Sequence, residues 1–208
     1  MFRRVSRLDR GLDAFERRDW RRARRLFEEA LHEEDRAIGR YHLGLLYWRG
    51  LGGKPDKAIA VEHFARAADD GLPGAQTAYG IALRSGVGVA QDIERARDQF
   101  RAAAGAQDGE AMVQLATLSD PEEARYWLLR GSENGYAPAM AHLADLLMER
   151  DPIDALAWLY VAVSLSGDDA ARKRAAVFAR ELSAKEIDTA QKTGRLYAKE
   201  IQQRSRGR

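Results

Sequence analysis

The chain has 208 residues, 45% of them hydrophobic and 32% charged, with a formal net charge of +2. That balance excludes an intrinsically disordered chain, and no stretch approaches the roughly 18 apolar residues of a membrane-spanning helix. Cysteine is absent, which excludes disulfide frameworks and thiolate metal sites and fits a reducing compartment.

The charge is unevenly placed. Residues 1–25 hold ten arginines against four acids, whereas residues 26–171 hold 13 basic and 24 acidic side chains. Residues 172–208 return to 11 basic and four acidic. The N-terminus lacks the apolar run of a signal peptide, so a complete chain is expected to be cytoplasmic.

Residues 1–38 read as a helix pair. Ala14, Phe15, Trp20, Ala23, Leu26, Phe27, Ala30 and Leu31 recur at three- and four-residue steps, which puts them on one face of each helix. Asp19 lies where the chain turns. Arg17, Arg18, Arg21, Arg22, Arg24 and Arg25 fall on the opposite faces. A terminal repeat needs a polar outer surface, so this face is first a solvated one. It is also a candidate basic patch for nucleic acid or an anionic surface.

Two units of 36 residues follow, Gly39–Gly74 and Ala75–Glu110. Gly44 aligns with Gly80, Gly50 with Gly86, Gly52 with Gly88, Asp56 with Asp92, and Ala67-Ala68 with Ala103-Ala104. A fixed period in this range is the mark of a repeat array. Each unit reads as a helix, a glycine loop and a second helix capped by Asp56 or Asp92. The second helices are expected to bury Ala60 and Phe64, then Ala96 and Phe100.

The third unit, from Ala111 to Pro138, loses the glycine loop and turns instead through Ser119-Asp120-Pro121. The fourth, from Ala139, repeats the short form with Asp151-Pro152. Trp127 and Trp158 stand where the earlier units carry His63 and Gln99, and both are expected in the core. Residues 170–208 read as two closing helices. Ser183 and Glu186 have the spacing of a capping box, and Ile187, Ala190, Leu196, Tyr197 and Ile201 are expected to face inward.

These units resemble the Sel1-like repeat family, a branch of the tetratricopeptide-like α/α solenoids. The carrying residues are Leu43, Gly44, Tyr47, Gly50, Gly52, Asp56, Ala60 and Ala67-Ala68, and their counterparts one period on. The closing ELSAKEIDTAQ also has the look of bacterial members. Gln107 and Ser166 depart from the repeat's glycine, and Gly53 from its valine. The resemblance implies an all-α, right-handed superhelical solenoid of about ten to twelve helices. It forms one repeat domain: cap 1–38, four repeats 39–169 and closing helices 170–208. It further implies a non-catalytic scaffold or adaptor that binds a partner protein or peptide in bacterial signalling, envelope regulation or secretion.

If the first helices line the concave face, its candidate contact residues are Tyr41, His42, Leu45, Trp48, Arg49, Thr77, Ala78, Ile81, Gln114, Thr117, His142, Asp145 and Glu149. Trp48 leads that set, because aromatic side chains dominate interface energetics. No cofactor and no metal site is expected. The four histidines, His32, His42, His63 and His142, have no zinc-ligand spacing. In LGGKPD the lysine is followed by Pro55, not the Ser or Thr of a nucleotide-binding loop, and S-x-x-K and G-x-S-x-G are absent. Nucleic acid ranks behind a protein partner, and the oligomeric state is left open.

Overall fold

A computed structural model of the chain describes residues 6–32 and 36–206. It is all-α among the described residues, with twelve α-helices and one short 3₁₀ turn. Two compact units divide the chain after Ala106.

The first unit contains α1 (Arg7–Glu16), α2 (Trp20–Ala30), α3 (Arg36–Arg49), α4 (Lys57–Asp69), α5 (Pro73–Ser85) and α6 (Ile93–Gly105). The expected aspartates cap the second helix of each pair. Asp19 accepts from the Arg22 amide at 3.3 Å, Asp56 from Ile59 at 3.0 Å and Asp92 from Arg95 at 3.0 Å. Ser6 and Asp9 add a reciprocal capping box at the start of α1.

Helix pairing rests on one repeated contact. Phe27, Phe64 and Phe100 are essentially fully buried. Their rings lie against Gly11, Gly44 and Gly80. A Cβ at those glycines would stand 2.7, 2.4 and 2.6 Å from the nearest ring carbon, closer than any carbon pair tolerates. The intrahelical glycine therefore spends about 1 kcal/mol of helix propensity to admit a phenyl ring. The glycine loops pack as tightly. A Cβ on Gly52 would lie 2.8 Å from the Trp20 carbonyl carbon, and one on Gly88 2.4 Å from the Lys57 oxygen. Each loop thus sits on the start of the preceding repeat's second helix.

The second unit contains α7 (Gly109–Ala116), α8 (Pro121–Glu133), α9 (Ala137–Leu147), α10 (Pro152–Ser166), α11 (Asp169–Phe178), the 3₁₀ turn Ala179–Glu181 and α12 (Ala184–Arg206). Without a glycine loop α7 is only eight residues long. Asp120 accepts from both Glu122 and Glu123 amides at 3.0 Å, with Pro121 at the first helical position, as the spacing predicts. Here the core uses different sizes. Leu128 and Leu159 replace the phenylalanines, and Ala116 and Ala144 replace the glycines. A smaller side chain on one helix leaves room for a Cβ on the other.

The apolar helix α10 is the centre of this unit, buried at Ala155, Leu156, Ala157, Trp158, Leu159, Val161 and Ala162 and covered by α9, α11 and α12. Tyr197 of α12 stacks on Trp158 at 4.6 Å and donates its hydroxyl to Asp154 at 2.8 Å. Burial and that carboxylate push the Tyr197 phenol up to about 12. The Ser183–Glu186 capping box forms as predicted.

Three expectations need correction. Leu196 is 62% exposed; the inward register of α12 runs through Ala190, Gly194, Tyr197 and Ile201. Trp127 is only half-buried, and its indole N–H donates to Glu123 at 3.2 Å. Its counterparts His63 and Gln99 are half-buried too, and this position becomes core only at Trp158, where α12 closes over it. The glycine absent at Ser166 is displaced by one residue, since Gly167 adopts the left-handed conformation that ends α10.

Candidate functional site

The first-helix residues separate into packing and accessible groups. His42 is enclosed by Phe15, Phe27 and Tyr41, with ring centroids 5.0, 5.1 and 5.5 Å away. Its Nδ1 pairs with the Ile38 carbonyl at 2.9 Å, as donor in the corresponding tautomer. Burial holds its pKa below the ordinary histidine value. Trp48 is half-buried against Phe64, and the Lys57 ammonium lies 4.2 Å above its indole while donating to the Trp48 carbonyl. Thr77 is only 2% exposed. Trp48 thus clamps α3 to α4, Thr77 is an interior group, and His42 is half-buried among aromatic rings. Tyr41, Leu45, Ala78 and Ile81 are half-buried, and Arg49 is exposed.

In the second unit the candidates converge. Thr117, His142 and Asp145 line a pocket of about 380 Å³ with Val113, Ala116, Ala124, Leu128 and Leu146. A second pocket, of about 570 Å³, shares Asp145 and Leu146 with it and adds Pro121, Met148, Glu149, Arg150 and Phe178. Gln114, from the same expected set, is half-buried on α7 and lines neither pocket. Both linings combine apolar side chains with a few polar or charged ones. Asp145 is held by Arg174 at 3.0 Å, and Arg150 meets Glu122 at 3.4 Å. Glu149 forms no ion pair among the described residues. Residues 107–171 carry three basic and twelve acidic side chains, so the pockets lie in a strongly acidic segment.

Sequence reasoning missed the apolar lining, above all Leu146, Met148 and Phe178. One signal for it was present. At the register of Val113, α3 carries Tyr41, whose ring lies 3.4 Å from where a side chain on Gly74 would begin. Valine fills less of that space.

The six arginines also separate. Arg17 pairs with Asp13 at 3.0 Å. Arg24 is half-buried, with its guanidinium 4.1 Å above the Tyr47 ring, donating to the Tyr47 hydroxyl and pairing with Glu28 at 3.1 Å. Arg18, Arg21, Arg22 and Arg25 are exposed and make no side-chain hydrogen bond or ion pair among the described residues. Groups of three or more metal-ligating side chains are absent among the described residues. No helix there is long and apolar enough to cross a membrane.

A family model described as Sel1 repeat matches residues 37–72, 73–108, 109–136 and 137–166, together more than half of the chain. Each match begins two residues before the corresponding unit read from the sequence. A search of curated proteins gave no match. Among solved structures, a Sel1 repeat protein from Oxalobacter formigenes superposes with a TM-score of 0.72 at 21% identity, over 97% of this chain and 84% of that one. The immunity protein Pa5087 from Pseudomonas aeruginosa gives 0.58 at 19%, over 98% and 88%. The protective antigen c5321 of uropathogenic Escherichia coli gives 0.50 at 18%, over 92% of this chain and 54% of that one. At these identities the likeness concerns the fold.

Proposed function

The chain belongs to the Sel1 repeat family, and from that premise we propose that it is a non-catalytic adaptor that holds a protein or peptide partner along the first-helix face of its repeats. Sel1 repeat proteins generally mediate protein–protein interaction and are generally non-catalytic. The observation that supports a specific place is the pair of pockets that share Asp145 and Leu146, each lined by apolar side chains with a few polar groups among them. Apolar concavities with a few placed polar groups are where ligands gain most from burial and orientation. A cytoplasmic role in signalling, envelope regulation or secretion belongs to the same proposal, and its bacterial setting is motivated by the bacterial structural neighbours. Cell fractionation that found the chain outside the cytoplasm would remove that part.

Affinity capture from native lysate tests the site, with wild type beside Thr117→Arg and Leu146→Arg variants of unchanged helicity. The expected result is a specific protein retained by wild type and lost from both variants. A protein retained equally by all three would refute the placement in these pockets.

A further inference from the structure

The arginine face of α2 is built at a cost to the helix that carries it. Arg21 and Arg25 are like charges four residues apart on α2, which repel along a helix. Neither forms an ion pair with a carboxylate among the described residues. The backbone shows a second cost. Arg18 has φ +61°, in the left-handed region that side chains rarely adopt. Its amide bonds Phe15, and the next amide bonds Ala14. Gly50 occupies the equivalent turn one repeat on, with its amide to Tyr47 and the next to Leu46, and Gly86 follows another repeat later. Both have φ +69°. The two regular repeats use glycine at this turn, and the cap keeps a cation there. Lys54 is exposed on the loop whose Gly52 sits against Trp20 and Arg21, which brings a further positive charge beside the face.

We propose that this face, Arg18, Arg21, Arg22 and Arg25 with Lys54, is a docking site for a short acidic segment of a partner protein. The site shares no residue with the α7–α9 pockets. Arg21 to Arg25 spans about 6 Å of helix, and Arg18 extends the face into the turn before it. Carboxylates at alternate positions of an extended segment are about 7 Å apart, so two of them match the helical part. Each guanidinium presents a planar fork that takes a carboxylate through two hydrogen bonds. The patch is short and bounded. The rest of this unit, residues 1–17 and 26–106, has 15 basic and 15 acidic side chains, so no net positive track continues for a long phosphodiester chain. Trp20 is half-buried with its ring at 5.1 Å from Phe15, edge-on, and offers no open platform for a base. Val87 is the one large hydrophobic residue exposed among the described residues of this unit, so none of those beside the face would insert into a lipid surface.

The test is fluorescence anisotropy of a labelled oligo-glutamate peptide at low ionic strength, with single-stranded DNA and phosphatidylserine vesicles as competing probes. Wild type is expected to bind the peptide, and the Arg21→Gln, Arg22→Gln, Arg25→Gln triple variant to bind about tenfold more weakly or worse. The triple variant is expected to melt no lower than wild type. Arg18→Gly, which restores the residue of the regular repeats, is expected to weaken binding while raising the melting temperature; it decides the matter should the triple variant fail to fold. Unchanged peptide binding in the variants, or none in wild type, overturns the proposal. Tighter binding of DNA or vesicles than of the peptide overturns it too. So does a salt-sensitive self-association that the triple variant loses, because the occupant would then be a second copy.

Discussion

Three residue-scale choices have measurable consequences. The Gly80–Phe100 contact leaves no room for a methyl group, so Gly80→Ala is expected to cost about 1–3 kcal/mol by overpacking, despite alanine's better helix propensity. Combining it with Phe100→Leu recreates the Ala–Leu pairing of the second unit, and the double variant is expected to be more stable than the sum of the singles, read from a urea-melt cycle. Gln107 holds a left-handed φ of +68° where the other repeats end in Gly71 and Gly135. Gln107→Gly is therefore expected to raise stability by about 1 kcal/mol, and a lower melting temperature would contradict the strain. The third choice concerns protons. Burial lowers the pKa of both His42 and His63, so the fold favours their neutral forms. Their contribution is fully present above the ordinary histidine value of about 6.5 and is lost as pH falls through the lowered folded values. Melting temperature is expected to decline below that point, less steeply in His42→Leu. The depressed carboxylates Asp70 and Glu186 act at lower pH and are separable.

At the scale of the element, the same repeat position has different fates according to what covers it. Trp158 lies under Tyr197 of α12, whereas Trp127 keeps an exposed edge beside Glu123. Trp158→Ala is expected to cost about 3–5 kcal/mol, and Trp127→Ala distinctly less, measured by chemical denaturation. Equal losses would mean that α12 does not seal the fourth repeat. The caps, loops and helix pairs were legible beforehand because they follow local rules. Aspartate before a helix, proline at its first position and glycine in the loop act within a few residues of themselves. The inward face of α12 was misread at Leu196 because its register is set by Gly194, whose missing side chain lets the helix approach the Ala157 carbonyl. A hydrophobic pattern does not display such an absence.

On the scale of the whole molecule, each compact unit has its own core, centred on the Phe–Gly contacts in one and on α10 in the other. Interactions in a repeat array run mainly between neighbours, so a lesion is felt locally. Gly44→Ala is expected to reduce amide exchange protection in α3 and α4 more than in α9 and α10, by hydrogen-exchange mass spectrometry. Uniform loss across both units would show a single cooperative block instead. The amino-acid order by itself determined the period, the helix pairs and their caps, and the family resemblance, because all of these are written as spacings along the chain. Only the tertiary structure decided how exposed the first-helix residues are: Thr77 was taken inside, His42 was half-buried among aromatic rings, Trp48 was clamped by Lys57, and Thr117, His142 and Asp145 were gathered around one apolar pocket. It also separated the arginine committed to Tyr47 from the four left without a side-chain partner among the described residues, three on α2 and Arg18 in the turn before it. Exposure is a property of the neighbours that cover a residue, and those neighbours come from other helices.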